Sequence, residues 1–154
     1  MSLKTGQKAV FNDVHRFRQL RAGRRFGKTV LARTEIARAI GTLPPGSLVC
    51  YQAQSYKQAK RLMWSPLTST LAPATRTANI SDLTLTLKNG TQIMLFGSGN
   101  YDTARGLGVD YLVIDEAQDS PAESWFEVWR AALADKRGKA LFIYTPKGRS
   151  NWTY

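Results

Sequence analysis

Cysteine is almost missing from this chain: Cys50 stands alone among 154 residues, so no internal disulfide can staple the fold. A chain of this length needs none, because it can bury a core without disulfide or metal support. Inside the apolar run Ser47-Leu48-Val49-Cys50-Tyr51 the lone thiol reads as a buried side chain of a reducing compartment. No stretch approaches the roughly 20 apolar residues of a membrane span, and the N-terminus lacks the apolar core of a secretory signal. Those absences point to a cytoplasmic protein without a membrane partner. Histidine is as scarce, and His15, with no nucleophile or ligand set around it, reads as a surface or partly buried residue. Acidic residues are few: 11 Asp plus Glu stand against 22 Lys plus Arg, a net charge of +11. Such an excess favours a polyanionic partner, nucleic acid before membrane, since no amphipathic basic helix stands out. Yet Arg16, Arg18, Arg21, Arg24, Arg25 and Lys28 crowd one short region. Part of the charge can therefore serve nucleotide phosphates instead.

What is present is organised around Ala22-Gly23-Arg24-Arg25-Phe26-Gly27-Lys28-Thr29. This stretch fits the phosphate-loop pattern G-x-x-x-x-G-K-[ST] everywhere but the first position, where Ala22 replaces glycine. In such a loop backbone N–H groups turn inward around phosphate oxygens, and the helix that follows aims the positive end of its dipole at the same place. Lys28 would reach the β- and γ-phosphates of a nucleotide and Thr29 would hold Mg²⁺. The competing reading is an arginine-rich surface turn that happens to contain Gly-Lys-Thr. Context favours the loop, because Arg16 to Ala22 alternates like a strand and Lys28 to Ile40 carries apolar residues at helical spacing until Gly41.

The second informative stretch is Tyr111-Leu112-Val113-Ile114-Asp115-Glu116. An apolar strand delivers two consecutive carboxylates to its C-terminal end, where open α/β sheets bind ligands. Asp115 can share Mg²⁺ with Thr29, and Glu116 can polarise the water that attacks a γ-phosphate. The competing reading, a polar loop start, loses force because the phosphate loop precedes it in the right order. A third strand, Ala140 to Tyr144, ends in Thr145-Pro146-Lys147-Gly148, whose hydroxyl and amine are placed to sense phosphate. Gln7 could read an adenine edge with its amide or could simply be solvated.

Between these stretches the pattern predicts a short helix over Ala9 to His15 after an irregular Met1 to Lys8, a strand over Leu48 to Gln52, and a helix over Ser55 to Trp64 with Lys57, Lys60 and Arg61 on its polar side. Ser65 to Ala78, rich in Pro, Thr and Ser, reads as loop. Leu83 to Phe96, alternating on both sides of Asn89-Gly90, reads as an antiparallel β-hairpin. Pro121 to Lys136 reads as an amphipathic helix whose Trp125, Phe126 and Trp129 belong to the core.

Arg21 to Thr29, Leu112 to Ala117 and Tyr144 to Gly148, with Arg105-Gly106-Leu107-Gly108 ahead of the acidic strand, resemble the phosphate loop, acidic strand and coupling motif of the ATPase domain in the large subunit of tailed-bacteriophage terminases. The resemblance implies a P-loop NTPase α/β fold of the additional-strand, RecA-like type, with a mostly parallel central sheet flanked by helices. It implies ATP and Mg²⁺ as ligands and hydrolysis that drives double-stranded DNA into a procapsid. The implied partners are double-stranded DNA, the terminase small subunit and the capsid portal, with the chain in a homo-oligomeric ring in the host cytoplasm. Residue by residue, Ala22, Gly23, Arg24, Arg25, Phe26, Gly27, Lys28 and Thr29 would hold the nucleotide, Thr29 and Asp115 the metal, and Glu116 would be the catalytic carboxylate. Gln7 would contact adenine and Thr145 would couple phosphate loss to movement. Arg105 falls where some of these motors carry an arginine finger, and Arg24 or Arg25 could do related work within one subunit. Family members continue into a linker and a nuclease domain, so the expectation is one ATPase domain over residues 1–154, ending before the linker, weakly active alone and without nuclease activity. Two rivals stay open: the first RecA-like domain of a helicase, suggested by Asp115-Glu116-Ala117-Gln118, and a fragment that binds nucleotide or DNA without useful turnover.

Overall fold

The computed structural model describes residues 3–154. Met1 and Ser2, the start of the expected irregular tail, lie outside the described residues. Leu3 and Lys4 are irregular as expected, but Thr5 to Lys8 is not: α1 spans Thr5–Asn12, beginning and ending earlier than the predicted helix. It starts where the Gln7 side chain accepts the Lys4 backbone N–H at 2.8 Å, a glutamine reaching back to cap its own helix.

Seven strands form one sheet in the order β1-β7-β6-β2-β5-β4-β3. Five are parallel: β1 (Phe17–Arg21), β7 (Lys139–Tyr144), β6 (Tyr111–Asp115), β2 (Leu48–Ala53) and β5 (Gln92–Gly97). Then β4 (Thr84–Leu87) pairs antiparallel with β5, and β3 (Thr75–Asn79) antiparallel with β4. The mostly parallel α/β sheet with its hairpin is as the motifs led one to expect, and β7, which leads into Thr145, lies between the phosphate-loop strand and the acidic strand. The hairpin closes through three residues, with Leu87 N–H donating to Thr91 O at 2.8 Å and Gly90 at φ 85°, a left-handed conformation that suits glycine.

Alternation along the buried strands divides the core in two. Tyr51, Val113, Leu141 and Ile143 face α2 (Lys28–Thr42), which meets them with Leu31 and Ile36, while Cys50, Leu112, Ile114 and Phe142 face Trp129 and Leu133 on the opposite side. Asp115 shares the parity of Val113 and so points to the side of the sheet where α2 begins. Leu20 and Ala22 share that side, which brings the phosphate loop and the acidic strand to one face.

Two further sequence expectations fail. Ser65 to Ala78 is not a loop: after α3 (Tyr56–Ala59) a π-turn at Lys60–Trp64 leads into α4 (Ser65–Leu71), then into edge strand β3. Pro66 lies inside this continuous helical run, directly after the π-turn, and the carbonyl four residues before it, Leu62 O, accepts from the Arg33 side chain at 2.7 Å. The polar, largely exposed β3 is held by backbone pairing rather than by an apolar face, so no alternation marks it. Pro121 to Lys136 is not one regular α-helix either. A π-helical stretch at Ser124–Trp129 runs into the single turn α5 (Arg130–Ala132). Of its aromatics, Trp129 is fully buried, edge-on to Phe96 at 5.1 Å, but Phe126 is 53% exposed, outside the core assigned to it.

A buried ionic network ties the roots of the site together. Arg18 on β1 donates to both carboxylate oxygens of Glu35 on α2, at 2.9 and 2.8 Å, and to the hydroxyl of Tyr111 at 2.6 Å. Tyr111 in turn donates to Glu35 at 2.6 Å, and Arg38 joins the same carboxylate from the surface. Removing one partner strands the other charge in the core. Glu35→Ala should therefore lower unfolding free energy by roughly 3–5 kcal/mol, and the apolar pair Arg18→Met with Glu35→Leu by much less; urea melts of the two variants check this.

Candidate phosphate and metal site

The phosphate loop leaves β1 with Ala22 N–H bonded to Tyr144 O at 3.1 Å. It turns through Arg25 at φ 65° and Gly27 at φ 90° before α2 begins. Leu31 N–H is the first in α2 to meet a carbonyl, Gly27 O at 3.1 Å. The N–H groups of Lys28, Thr29 and Val30 thus emerge at the positive end of the helix dipole, as anion binding requires. Lys28 is nearly buried, and its ammonium faces only oxygens: Thr145 Oγ1, Glu116 Oε1 at 3.4 Å and Ala22 O at 3.4 Å.

Asp115 ends β6 almost fully buried. Its Oδ2 accepts the Tyr51 hydroxyl at 2.9 Å and its Oδ1 accepts the Glu116 N–H at 3.0 Å. Burial is the main force raising its pKa above the ordinary value, with the neighbouring Glu116 adding to it and the bond from Tyr51 opposing it. A carboxylate whose charge burial opposes is well matched by a divalent cation. Its oxygens and the Thr29 hydroxyl at the start of α2 are hard donors of the kind that could hold Mg²⁺, a cation that takes one or two protein ligands. Glu116 follows in the left-handed region, φ 51° and ψ 47°, an uncommon conformation for a residue with a side chain.

The structure brings Lys28, Asp115, Glu116 and Thr145 together. It treats the other expected residues differently. Gln7 is buried, not solvated, and donates to Phe26 O at 3.1 Å and Gly27 O at 3.0 Å. Its amide is spent bracing the phosphate loop, and a base could use it only by breaking those bonds. Arg24 and Arg25 are exposed on the loop. Arg105 is exposed and held by Asp102 at 2.8 Å and Glu127 at 3.3 Å, with no contact to the phosphate loop. Lys147 pairs with Asp119 instead of joining Lys28. His15 is a surface residue paired with Asp13.

The chain matches the family model "Terminase large subunit, T4likevirus-type, N-terminal" over residues 20–154. It belongs to the terminase large subunit family. The large terminase subunit of Escherichia phage T5 is 31% identical over 149 residues, which cover 94% of this chain and 33% of that protein. That of Thermus phage G20c is 42% identical over 53 residues, 34% of this chain and 11% of the relative. The chain thus spans a third or less of these relatives. Among solved structures, the large terminase ATPase domain of Thermus phage P74-26 superposes with a TM-score of 0.79 at 26% identity, over 95% of this chain and 65% of that one. The large terminase of another thermophilic bacteriophage, in complex with ATP-γ-S, shares the fold, with a TM-score of 0.73 at 20% identity over 96% of this chain and 39% of that one.

Two residues of this terminase chain escaped the sequence motifs. Tyr51 lies in a strand with nothing to distinguish it from core, and only its register beside β6 reveals that its hydroxyl meets Asp115. Gln118 sits two residues beyond Glu116 and donates to it at 2.8 Å; its place in the Asp-Glu-Ala-Gln run was the available signal.

The raised pKa of Asp115 carries a stability consequence. Because the folded value lies above the unfolded one of about 3.9, the fold favours the protonated acid, and that stability is lost as pH rises through the folded pKa. Asp115→Asn should therefore melt at a higher temperature than the wild type at pH 7 without added metal. The gap should close as pH falls below about 4, which calorimetry across pH checks.

Proposed function

We propose that this chain binds ATP with Mg²⁺ and hydrolyses it, as one P-loop ATPase domain of a motor that moves double-stranded DNA into a phage procapsid. The observation that carries the reading is the cluster at the strand ends, with the Lys28 ammonium within reach of Glu116 and Thr145 and with Asp115 beside them. Lys28 and the N–H groups at the start of α2 would take the β- and γ-phosphates, with Ala22, Gly23, Arg24, Arg25, Phe26 and Gly27 forming the cradle. Thr29 and Asp115 would hold Mg²⁺, which neutralises charge on the phosphate oxygens when bound. Glu116 would orient a water and draw its proton, and Thr145, bonded to Lys28, would register the loss of the γ-phosphate. Gln7 would support the loop and come to adenine only by exchanging its present bonds.

Arg105, on the surface, would serve as a finger toward a neighbouring subunit, with Arg24 or Arg25 as candidates within the same one. Fingers supplied between subunits contribute about 10³–10⁵ in rate, so the isolated chain would turn over slowly. The assembly would be a homo-oligomeric ring in the host cytoplasm that meets the terminase small subunit and the capsid portal, and these 154 residues would carry no nuclease activity. Among the described residues no helix is long and apolar enough to cross a membrane.

Glu116→Ala should retain ATP-γ-S affinity and lower hydrolysis by about 10²-fold or more; equal rates in single-turnover assays would sink the assignment. Duplex DNA binding followed by fluorescence anisotropy should weaken linearly in log–log form as salt rises. Affinity that ignores salt would remove the phosphate backbone as the ligand.

A further inference from the structure

The bonds around Gln118 are more numerous than its place in a short turn requires. An amide offers one acceptor and two donors, and here all are committed. Nε2 donates to Glu116 Oε2 at 2.8 Å and to Asp119 Oδ2 at 2.9 Å, while Oε1 accepts the Thr145 backbone N–H at 3.1 Å. The main chain is held as well: the Gln118 carbonyl accepts from Asn151 at 3.0 Å, and Asp119 N–H bonds back to Glu116 O at 2.9 Å. The side chain is almost fully buried, so these are not interchangeable with water.

These bonds close a circuit. Lys28 meets Thr145 through its hydroxyl and Glu116 through Oε1, and Gln118 joins the other oxygen of Glu116 to the backbone of Thr145. The two oxygens of one carboxylate are thereby divided: one is pinned by the amide and the other is turned toward the phosphate-binding lysine. Glu116 occupies the left-handed region, a conformation that persists where surrounding contacts fix the residue, and the bond from Gln118 is one of those contacts.

We propose that Gln118 is a positioning residue that aims the Glu116 carboxylate and links it to Thr145, so that any shift of the carboxylate on phosphate loss moves the segment from Thr145 to Asn151. The proposal rests on the hydrolase reading of Glu116. An acid of the same size could not serve, because it would set a third carboxylate against Glu116 and Asp119, with Lys28 and Lys147 the only cations among the described residues that pair with those two.

The test uses Gln118→Ala and Gln118→Glu in the full chain. In Gln118→Ala, kcat should fall roughly 10–100-fold with ATP-γ-S affinity retained, as misplacement of a reacting group by an ångström costs about 10²-fold. The Thr145 amide, its acceptor gone, should exchange with solvent faster before any nucleotide is added. In Gln118→Glu, kcat should fall too, and the acid limb of the pH–rate profile should move to higher pH because clustered carboxylates hold protons more tightly; in Gln118→Ala that limb should stay in place. Should Gln118→Ala fail to fold, the isosteric Gln118→Glu decides. Wild-type kcat and pH profile in the variants would overturn this proposal and leave the hydrolase reading standing. Loss of ATP-γ-S affinity with kcat unchanged would also overturn it. A wild-type chain that neither binds nor hydrolyses ATP would overturn both.

Discussion

Three neighbouring parallel strands must end at the same level for this site to exist. A lysine follows the first by way of the phosphate loop, a threonine follows the second, and two carboxylates close the third; only the order β1-β7-β6 sets them side by side. With β7 between them, β1 and β6 stand about 10 Å apart, and Thr145, just past the end of β7, puts a hydroxyl in the gap that Lys28 spans to reach Glu116. Strand parity adds the second condition, since a one-residue slip of β6 would turn Asp115 to the far face of the sheet. The buried Arg18–Glu35–Tyr111 network meets β1, α2 and β6 at once, and so resists that slip below the site.

The parts of this arrangement that depend on local chemistry could be read in the residues. Gly27-Lys28-Thr29 before a helical period and Asp115-Glu116 after an apolar run each announce a strand, a turn and a charge in one short span. The hairpin around Asn89-Gly90 was legible for the same reason. Where pairing is non-local, the reading failed or fell silent. β3 carries polar residues and is a strand only because β4 offers it backbone partners, and the helical run through α4 continues past Pro66 with a π-turn before it and the Leu62 carbonyl taken by Arg33. In one dimension Gln7 reads equally as a base contact or a solvated residue, and Gln118 is only a member of the Asp-Glu-Ala-Gln run. Their amides become structural because distant segments, Phe26-Gly27 and Thr145, come to them with unpaired backbone groups.

Strain and satisfaction are distributed unevenly across the molecule. The distal end of the sheet carries a buried, paired ionic network, whereas the upper end holds a carboxylate that burial pushes toward protonation and a second one on a left-handed backbone. This is the division expected of a rigid base that carries a site built to exchange its partners.

Cys50 has a bearing on how movement at that upper end could be followed. Its thiol lies wholly inside the core beneath β2, and burial pushes its pKa far above the usual range, so little reactive thiolate forms at neutral pH. A fluorophore or spin label attached through a new cysteine at exposed Arg149 would therefore be the sole probe on the folded chain, with the native thiol left in place.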